Sequence, residues 1–255
     1  MLGAIAGDII GSIYEASPIK TKDFPLFGKG CRFTDDSVLT IAVAHAIMNN
    51  EPYDLALRDF YRAHPHAGYG GMFRRWAEDE RMGPYNSWGN GSAMRVSPVG
   101  YAYGTLEGVI AEAEQTAAVT HDHPEGIRGA QATAACVFTA REGYDKQQIK
   151  DIITERFGYD LSVTLDDIRP SYGFDVSCQG SVPPAIIAFL ESTGYEDAVR
   201  NAVSLGGDSD TLACITGGMA EAFYGGLPGH IEQRALELLT DDLRTVTIAF
   251  RQEYC

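Results

Sequence analysis

The chain has 255 residues, 45% of them hydrophobic and 22% charged, proportions that suit one globular domain with a sizeable core. A formal net charge of −15, with no run of Lys or Arg, excludes a surface built for the nucleic-acid backbone. The five cysteines (Cys31, Cys136, Cys178, Cys214 and Cys255) are far apart and form no CxxC pair, which argues against a disulfide framework or a thiolate zinc site.

Residues 2–14 open the chain as a helix of small and branched residues, with Gly3, Gly7 and Gly11 at every fourth position. That spacing places three glycines on one face, where a second backbone can approach closely. So much glycine weakens an isolated helix by about 1 kcal/mol per site, so packing must hold it. A strongly apolar helix is predicted over 35–49, and amphipathic ones over 53–63 and 70–80. Further helices follow at 105–119, 124–142 (opening on Pro124-Glu125), 145–156 and 183–192, with Pro183 and Pro184 at the start of the last. The C-terminal part predicts helices over 195–204, 211–224, 229–240 and 241–251. Residues 160–180 are the longest segment without helical period and read as a functional loop. Alternation of period two never persists, so the expected fold is all-α, one domain over 1–255. No stretch is long and apolar enough for a membrane span, and the N-terminus has no basic segment or cleavage site. A cytoplasmic monomer with reduced thiols is the expectation.

Two acidic clusters stand just before long apolar stretches: Thr34-Asp35-Asp36-Ser37 and Asp208-Ser209-Asp210-Thr211. Each can be an N-cap, which needs only one side-chain oxygen. Each nevertheless supplies two carboxylates, and a helix N-terminus carries only about half a positive charge. If the two helix starts meet, their oxygens make a pocket suited to one or two hard divalent cations. Capping alone is the competing reading. Glu15 follows the first helix, where a carboxylate opposes the helix dipole; it is either functional or an ordinary surface residue.

The segment Trp88-Gly89-Asn90-Gly91-Ser92 is a candidate phosphate-binding turn, its glycines permitting positive φ and its amides leading into a helix, with Trp88 offering a flat face for a base or sugar. A plain turn with a packed Trp is the alternative. His64-Pro65-His66 and His121-Asp122-His123 have a zinc-like spacing but no third ligand at a recognisable offset. A structural role is expected for His64 and His66, and a hydrogen bond to a ligand for His121.

Taken together, five segments in order resemble the ADP-ribosylglycohydrolase family across nearly the whole chain. They are Gly7-Asp8-Ile9-Ile10-Gly11-Ser12-Ile13-Tyr14-Glu15, Phe33-Thr34-Asp35-Asp36-Ser37, Trp88-Gly89-Asn90-Gly91-Ser92-Ala93-Met94-Arg95, Thr120-His121-Asp122-His123-Pro124-Glu125-Gly126 and Gly206-Gly207-Asp208-Ser209-Asp210-Thr211. The resemblance implies an orthogonal helical bundle with two magnesium ions in a central cleft, manganese being a substitute. By matching position, Thr34, Asp35, Asp36, Asp208, Asp210 and Thr211 would be metal ligands. Glu15, Asp35 and Asp36 are the catalytic candidates. Gly89, Asn90, Gly91 and Ser92 would lie along ADP-ribose, with His121 and Tyr172 nearby and Trp88 beside the adenine. Ser209 stands where relatives commonly have Thr. The implied activity is hydrolysis of the glycosidic bond joining ADP-ribose to a target, such as a modified protein. Two alternatives stay open: a non-catalytic ADP-ribose-binding or crystallin-like protein of the same fold, and a terpene-synthase-like diphosphate enzyme, although the clusters lack its DDxxD spacing.

Overall fold

In the computed structural model, which describes residues 1–255, the glycine face of the first helix meets a helix from the far end of the sequence. The fifteen helices are α1 (Leu2–Gly11), α2 (Asp35–Asn49), α3 (Tyr53–Ala63), α4 (Gly71–Glu78), α5 (Gly91–Met94), α6 (Val99–Ala102), α7 (Leu106–Ala118) and α8 (Pro124–Arg141), then α9 (Lys146–Phe157), α10 (Leu165–Ile168), α11 (Cys178–Leu190), α12 (Tyr195–Val203), α13 (Ser209–Tyr224), α14 (Gly229–Leu238) and α15 (Asp241–Tyr254). No strand forms; the one sheet-like contact is an isolated bridge between Gly89 and Ser177.

The central helix is α13, buried at every residue from Ser209 to Glu221 and packed against α1, α8, α11 and α12. Its match to α1 is antiparallel and runs in steps of four: Gly3 lies against Gly217, Gly7 against Ala213 and Gly11 against Ser209. A Cβ at Gly7 would sit 2.5 Å from the Ala213 carbonyl carbon, and one at Gly11 2.6 Å from the Asp210 Cα. Backbone-to-backbone packing of this kind has no room for a side chain. It also brings the C-terminal end of α1 to the N-terminal end of α13. Around this pair a single core gathers Leu39, Trp76, Phe189, Phe250 and their neighbours.

Most predicted helices form within a residue or two of their expected ends; α15 runs three residues beyond its expected end, to Tyr254, and three other segments differ. The first helix ends at Gly11 rather than at 14, because the Ser12 hydroxyl donates to the Ile9 carbonyl and the Tyr14 amide turns back to Gly11. The helix predicted to start at Pro183 starts five residues earlier, at Cys178, so both prolines are internal. Ser177 caps it by accepting the Gly180 amide, and the Gly180 carbonyl, which Pro184 cannot bond, accepts the Tyr172 hydroxyl instead (2.9 Å). Residues 160–180 therefore contain the one-turn α10 and the start of α11 rather than loop throughout. The short helices α5 and α6 are below the length at which period can be read.

Candidate active site

Asp8 is the only charged residue of α1 and is fully buried. It accepts the Thr34 amide (2.9 Å) and hydroxyl (2.6 Å), the Ser37 amide (3.1 Å) and the Ser37 hydroxyl. Those bonds fasten the start of α2 to the end of α1. Thr34 is the N-cap of α2 and accepts the Asp36 amide at 3.3 Å, so the hydroxyl does the capping and the carboxylates of Asp35 and Asp36 are left for something else. At α13 the N-cap residue Asp208 makes no side-chain cap bond at all. Its carboxylate instead accepts the Asn90 side-chain amide at 2.7 Å, and the same amide donates to Ser181 at 3.0 Å. Gly206 and Gly207, both at positive φ, turn the chain so that Asp208 reaches this position. Capping alone thus does not account for either cluster.

The two helix starts meet. Carboxylate oxygens of Asp8, Asp36 and Asp210 lie within 4.8 Å of one another, as do those of Glu15, Asp208 and Asp210. Asp36 Oδ1 is buried with no hydrogen-bond partner, and the ion pairs of the molecule include none of Asp8, Asp35, Asp36, Asp208 and Asp210. Burial pushes the Asp8 carboxyl up to about 6. Burial, then the neighbouring Asp8, pushes Asp35 up to about 7. Asp36 and Asp210 are raised well above the carboxylate range, first by burial and then by Asp210 and Asp208 respectively. Burial also raises Asp208 and Glu15; the Asn90 bond opposes the rise at Asp208. Buried, mutually repelling oxygens with an unpartnered lone pair and no cation opposite fit a hard divalent ion, whose ligands are oxygen. Asp8 already accepts four hydrogen bonds, so its part is to hold Thr34 and Ser37 in place. It stood in the sequence as the one acid of an apolar helix, a signal that its burial now explains.

The cluster lies on the wall of a cavity of about 420 Å³, within the range of small-molecule sites. Glu15, Thr34, Asp35, Asp36, Asp208, Asp210, Thr211, Gly89, Asn90, Gly91 and His121 all line it. Glu15 stands beyond the turn that ends α1 and is exposed. Three candidates lie off this wall. Ser92 is buried and donates to the Gly126 carbonyl (2.7 Å), Tyr172 is committed to Gly180, and Trp88 is 52% exposed with its ring edge-on to His123. Met72 of α4 and, from the loop after Tyr172, Phe174 and Val176 are the exposed apolar residues that reach the cavity.

The glycine loop differs from its expected conformation. Neither Gly89 nor Gly91 has positive φ. At Gly91 a Cβ would crowd His121 Nε2 at 3.2 Å, whereas one at Gly89 would stand at an ordinary 3.5 Å from that atom and 3.2 Å from Ser87 Oγ. The Ala93 and Met94 amides turn back to the Asn90 carbonyl, forming the single turn of α5. His123 caps α8 through the Glu125 amide (3.1 Å), and Asp122 holds the Asn86 amide (2.7 Å). His64 bonds Asp242 of α15 (2.8 Å), and His66 is exposed.

Fold and site together define an all-helical protein whose acid-lined cleft is assembled from the starts of two helices. A sequence profile of the ADP-ribosylglycohydrolase family matches residues 1–253, and the chain belongs to that family, which makes it a glycohydrolase. ADP-ribosylhydrolase ARH3 of Xenopus tropicalis is 27% identical over 88% of this chain and 86% of its own. The Homo sapiens ARH3 is 25% identical over 88% and 84%, and the ADP-ribosylarginine hydrolase Tri1 of Pseudomonas putida (strain GB-1) is 25% identical over 93% and 76%. Among solved structures, an ADP-ribosylglycohydrolase-related protein complex superposes with a TM-score of 0.70 at 24% identity, covering 98% of this chain and 96% of that one, a likeness of fold. No helix is long and apolar enough to cross a membrane.

Proposed function

We propose that this chain hydrolyses the glycosidic bond between ADP-ribose and a modified target, releasing ADP-ribose, and that it does so with two magnesium ions. The observation that carries this reading is the convergence of Asp36, Asp208 and Asp210, unpaired with any cation, on the same cavity as Glu15, His121 and the Gly89–Gly91 loop. Thr34, Asp35, Asp36, Asp208, Asp210 and Thr211 would hold the ions. When bound, the ions supply Lewis-acid charge that orients the ribose hydroxyls and acidifies a water.

The remaining chemistry belongs to the chain. Breaking a bond at the anomeric carbon passes through an oxocarbenium-like transition state, which a wall of carboxylates stabilises by charge. Glu15 would hold the proton exchanged with the leaving group or the attacking water, a role supported by its raised pKa and its exposed side chain beside the cluster. Asn90 fixes Asp208, and the glycines leave room for a polyphosphate beside His121. A modified protein side chain is the proposed source of the ADP-ribosyl group, Arg-linked in the manner of the name Tri1 carries.

The test is release of free ADP-ribose from Arg-linked and Ser-linked ADP-ribosyl proteins, with magnesium, with manganese and with chelator. Metal-dependent release from at least one substrate is expected. Tight ADP-ribose binding without turnover of either would refute the catalytic reading.

A further inference from the structure

His121 carries one ring nitrogen toward the cavity and one into the core, and the core side fixes what the cavity side can do. Arg95, fully buried, donates through Nη2 to the Thr116 carbonyl (2.7 Å) and to Thr120 Oγ1 (2.8 Å). Thr120 Oγ1, also fully buried, lies 2.7 Å from His121 Nδ1 and has no other side-chain partner. A guanidinium only donates, so the threonine oxygen accepts from Arg95. Its single hydrogen then has one acceptor in reach, which is His121 Nδ1. If Nδ1 carried the ring proton, the buried hydroxyl hydrogen would be left without an acceptor, at a cost of about 1–3 kcal/mol.

We propose that Arg95 and Thr120 are positioning residues that hold His121 as the neutral Nε2–H tautomer, so that the cavity presents a hydrogen-bond donor beside Gly89 and Gly91 and selects an anionic phosphoryl oxygen. Three further observations agree. His121 Nε2 bonds nothing in the protein and lies where Cβ atoms at Gly89 and Gly91 would meet it. Arg95 has no carboxylate partner and leaves Nε and Nη1 unbonded, so the charge behind the histidine is unbalanced and favours an anion in front of it. Burial, with Arg95 adding to it, lowers the His121 pKa well below its usual value, which keeps the ring neutral.

The identity of the ligand as the ADP-ribose diphosphate rests on the function proposed above; the tautomer does not. The test therefore begins with ligand-free protein. In the ¹⁵N-histidine-labelled wild type, the His121 signals (assigned by their loss in His121→Gln) are expected to show Nδ1 as the unprotonated, pyridine-like nitrogen and Nε2 as the protonated, pyrrole-like one. Thr120→Val is expected to abolish that preference and, with only about half of the rings then presenting a donor, to weaken ADP-ribose binding about twofold. Turnover at saturating substrate should change much less, and Thr120→Ser should restore both tautomer and affinity. A protonated Nδ1 in the wild type overturns the proposal whether or not the variants fold. So does a Thr120→Val protein with wild-type tautomer and affinity. An intact Nε2–H signature in a protein that does not bind ADP-ribose supports the relay and refutes the ligand reading instead.

Discussion

Replacing Gly7 with Ala would add one methyl group at the tightest point between α1 and α13. The new Cβ would lie 2.5 Å from the Ala213 carbonyl carbon and 3.0 Å from the Cys214 amide nitrogen, with the Ala213 oxygen nearer still. Carbon atoms in contact normally stand about 3.5–4 Å apart, so the two helices must part by about 1 Å or bend. Both neighbours are backbone, so no side chain can rotate away. Overpacking of this kind costs about 1–3 kcal/mol and more where backbone is the obstacle, against a gain of about 1 kcal/mol from the better helix propensity of Ala. We expect a net loss of about 2–4 kcal/mol, and a melting temperature lower by roughly 5–15 °C for a chain of this size. Gly229→Ala, where a Cβ meets nothing within 4 Å, is the control and should stay within about 0.5 kcal/mol of wild type. The next residue in Gly7→Ala is Asp8, so the loosened helix should also reduce the gain in melting temperature on adding magnesium. Thermal melts followed by circular dichroism measure both effects. A Gly7→Ala protein as stable as wild type, or more stable, would refute the interhelical contact and the account of how the site is assembled.

Asp36→Asn should remove magnesium-dependent release of ADP-ribose yet raise the melting temperature of the metal-free protein, because it deletes a buried carboxyl that folding must hold protonated against its ordinary pKa; loss of folding in that variant would contradict the reading. In chelator, stability should increase as the pH falls. Burial pushes Asp8 up to about 6 and Asp35 up to about 7, above the ordinary carboxyl value of about 4, so their contribution is full below about 4 and is lost as the pH rises to 7. Each contributes a few kcal/mol at about 1.4 kcal/mol per pKa unit, and urea unfolding that shows less stability at pH 5.5 than at pH 8 would sink the argument. Asn90→Ala should weaken magnesium binding by releasing Asp208, whereas Gly91→Val should leave the metal response intact and weaken ADP-ribose binding by displacing His121; calorimetry with each ligand separates the two. Glu15→Gln should slow turnover about 10²–10⁴-fold with ADP-ribose affinity little changed, and an equal loss in both would make Glu15 a ligand-positioning residue instead.

The all-helical class was legible because long helices repeat their apolar residues at a period that no strand shares, and α2, α3, α8 and α12 fall close to their expected bounds. The glycine spacing of α1 announced a close partner, but which helix it would be is a long-range fact that local pattern does not hold. The start of α11 was misplaced because proline is read as a first-turn residue. Here the deficit is met from outside the helix by Tyr172, whose hydroxyl takes the Gly180 carbonyl. The positive φ expected at Gly89 and Gly91 does not occur; what crowds Gly91 is a histidine ring from another segment, a long-range contact that local pattern does not hold.

Both acidic clusters looked like N-caps in the sequence, and the difference between capping and a site is visible only in where each oxygen goes. At α2 the cap is Thr34, which frees Asp35 and Asp36; at α13 the capping position is held by Asp208, which caps nothing and is turned toward Asn90. A helix start that leaves its amides without a carboxylate cap gives up about 1 kcal/mol. Burying carboxylates side by side without a cation costs considerably more, as their raised pKa values record. A fold selected for stability alone would have used these acids as caps or replaced them. That the chain instead fastens α1 to α2 through Asp8, and α1 to α13 through bare glycine backbone, shows which requirement the fold meets. The close backbone packing of α1 on α13 holds together groups that repel one another, and the divalent ions proposed above would turn that repulsion into cohesion.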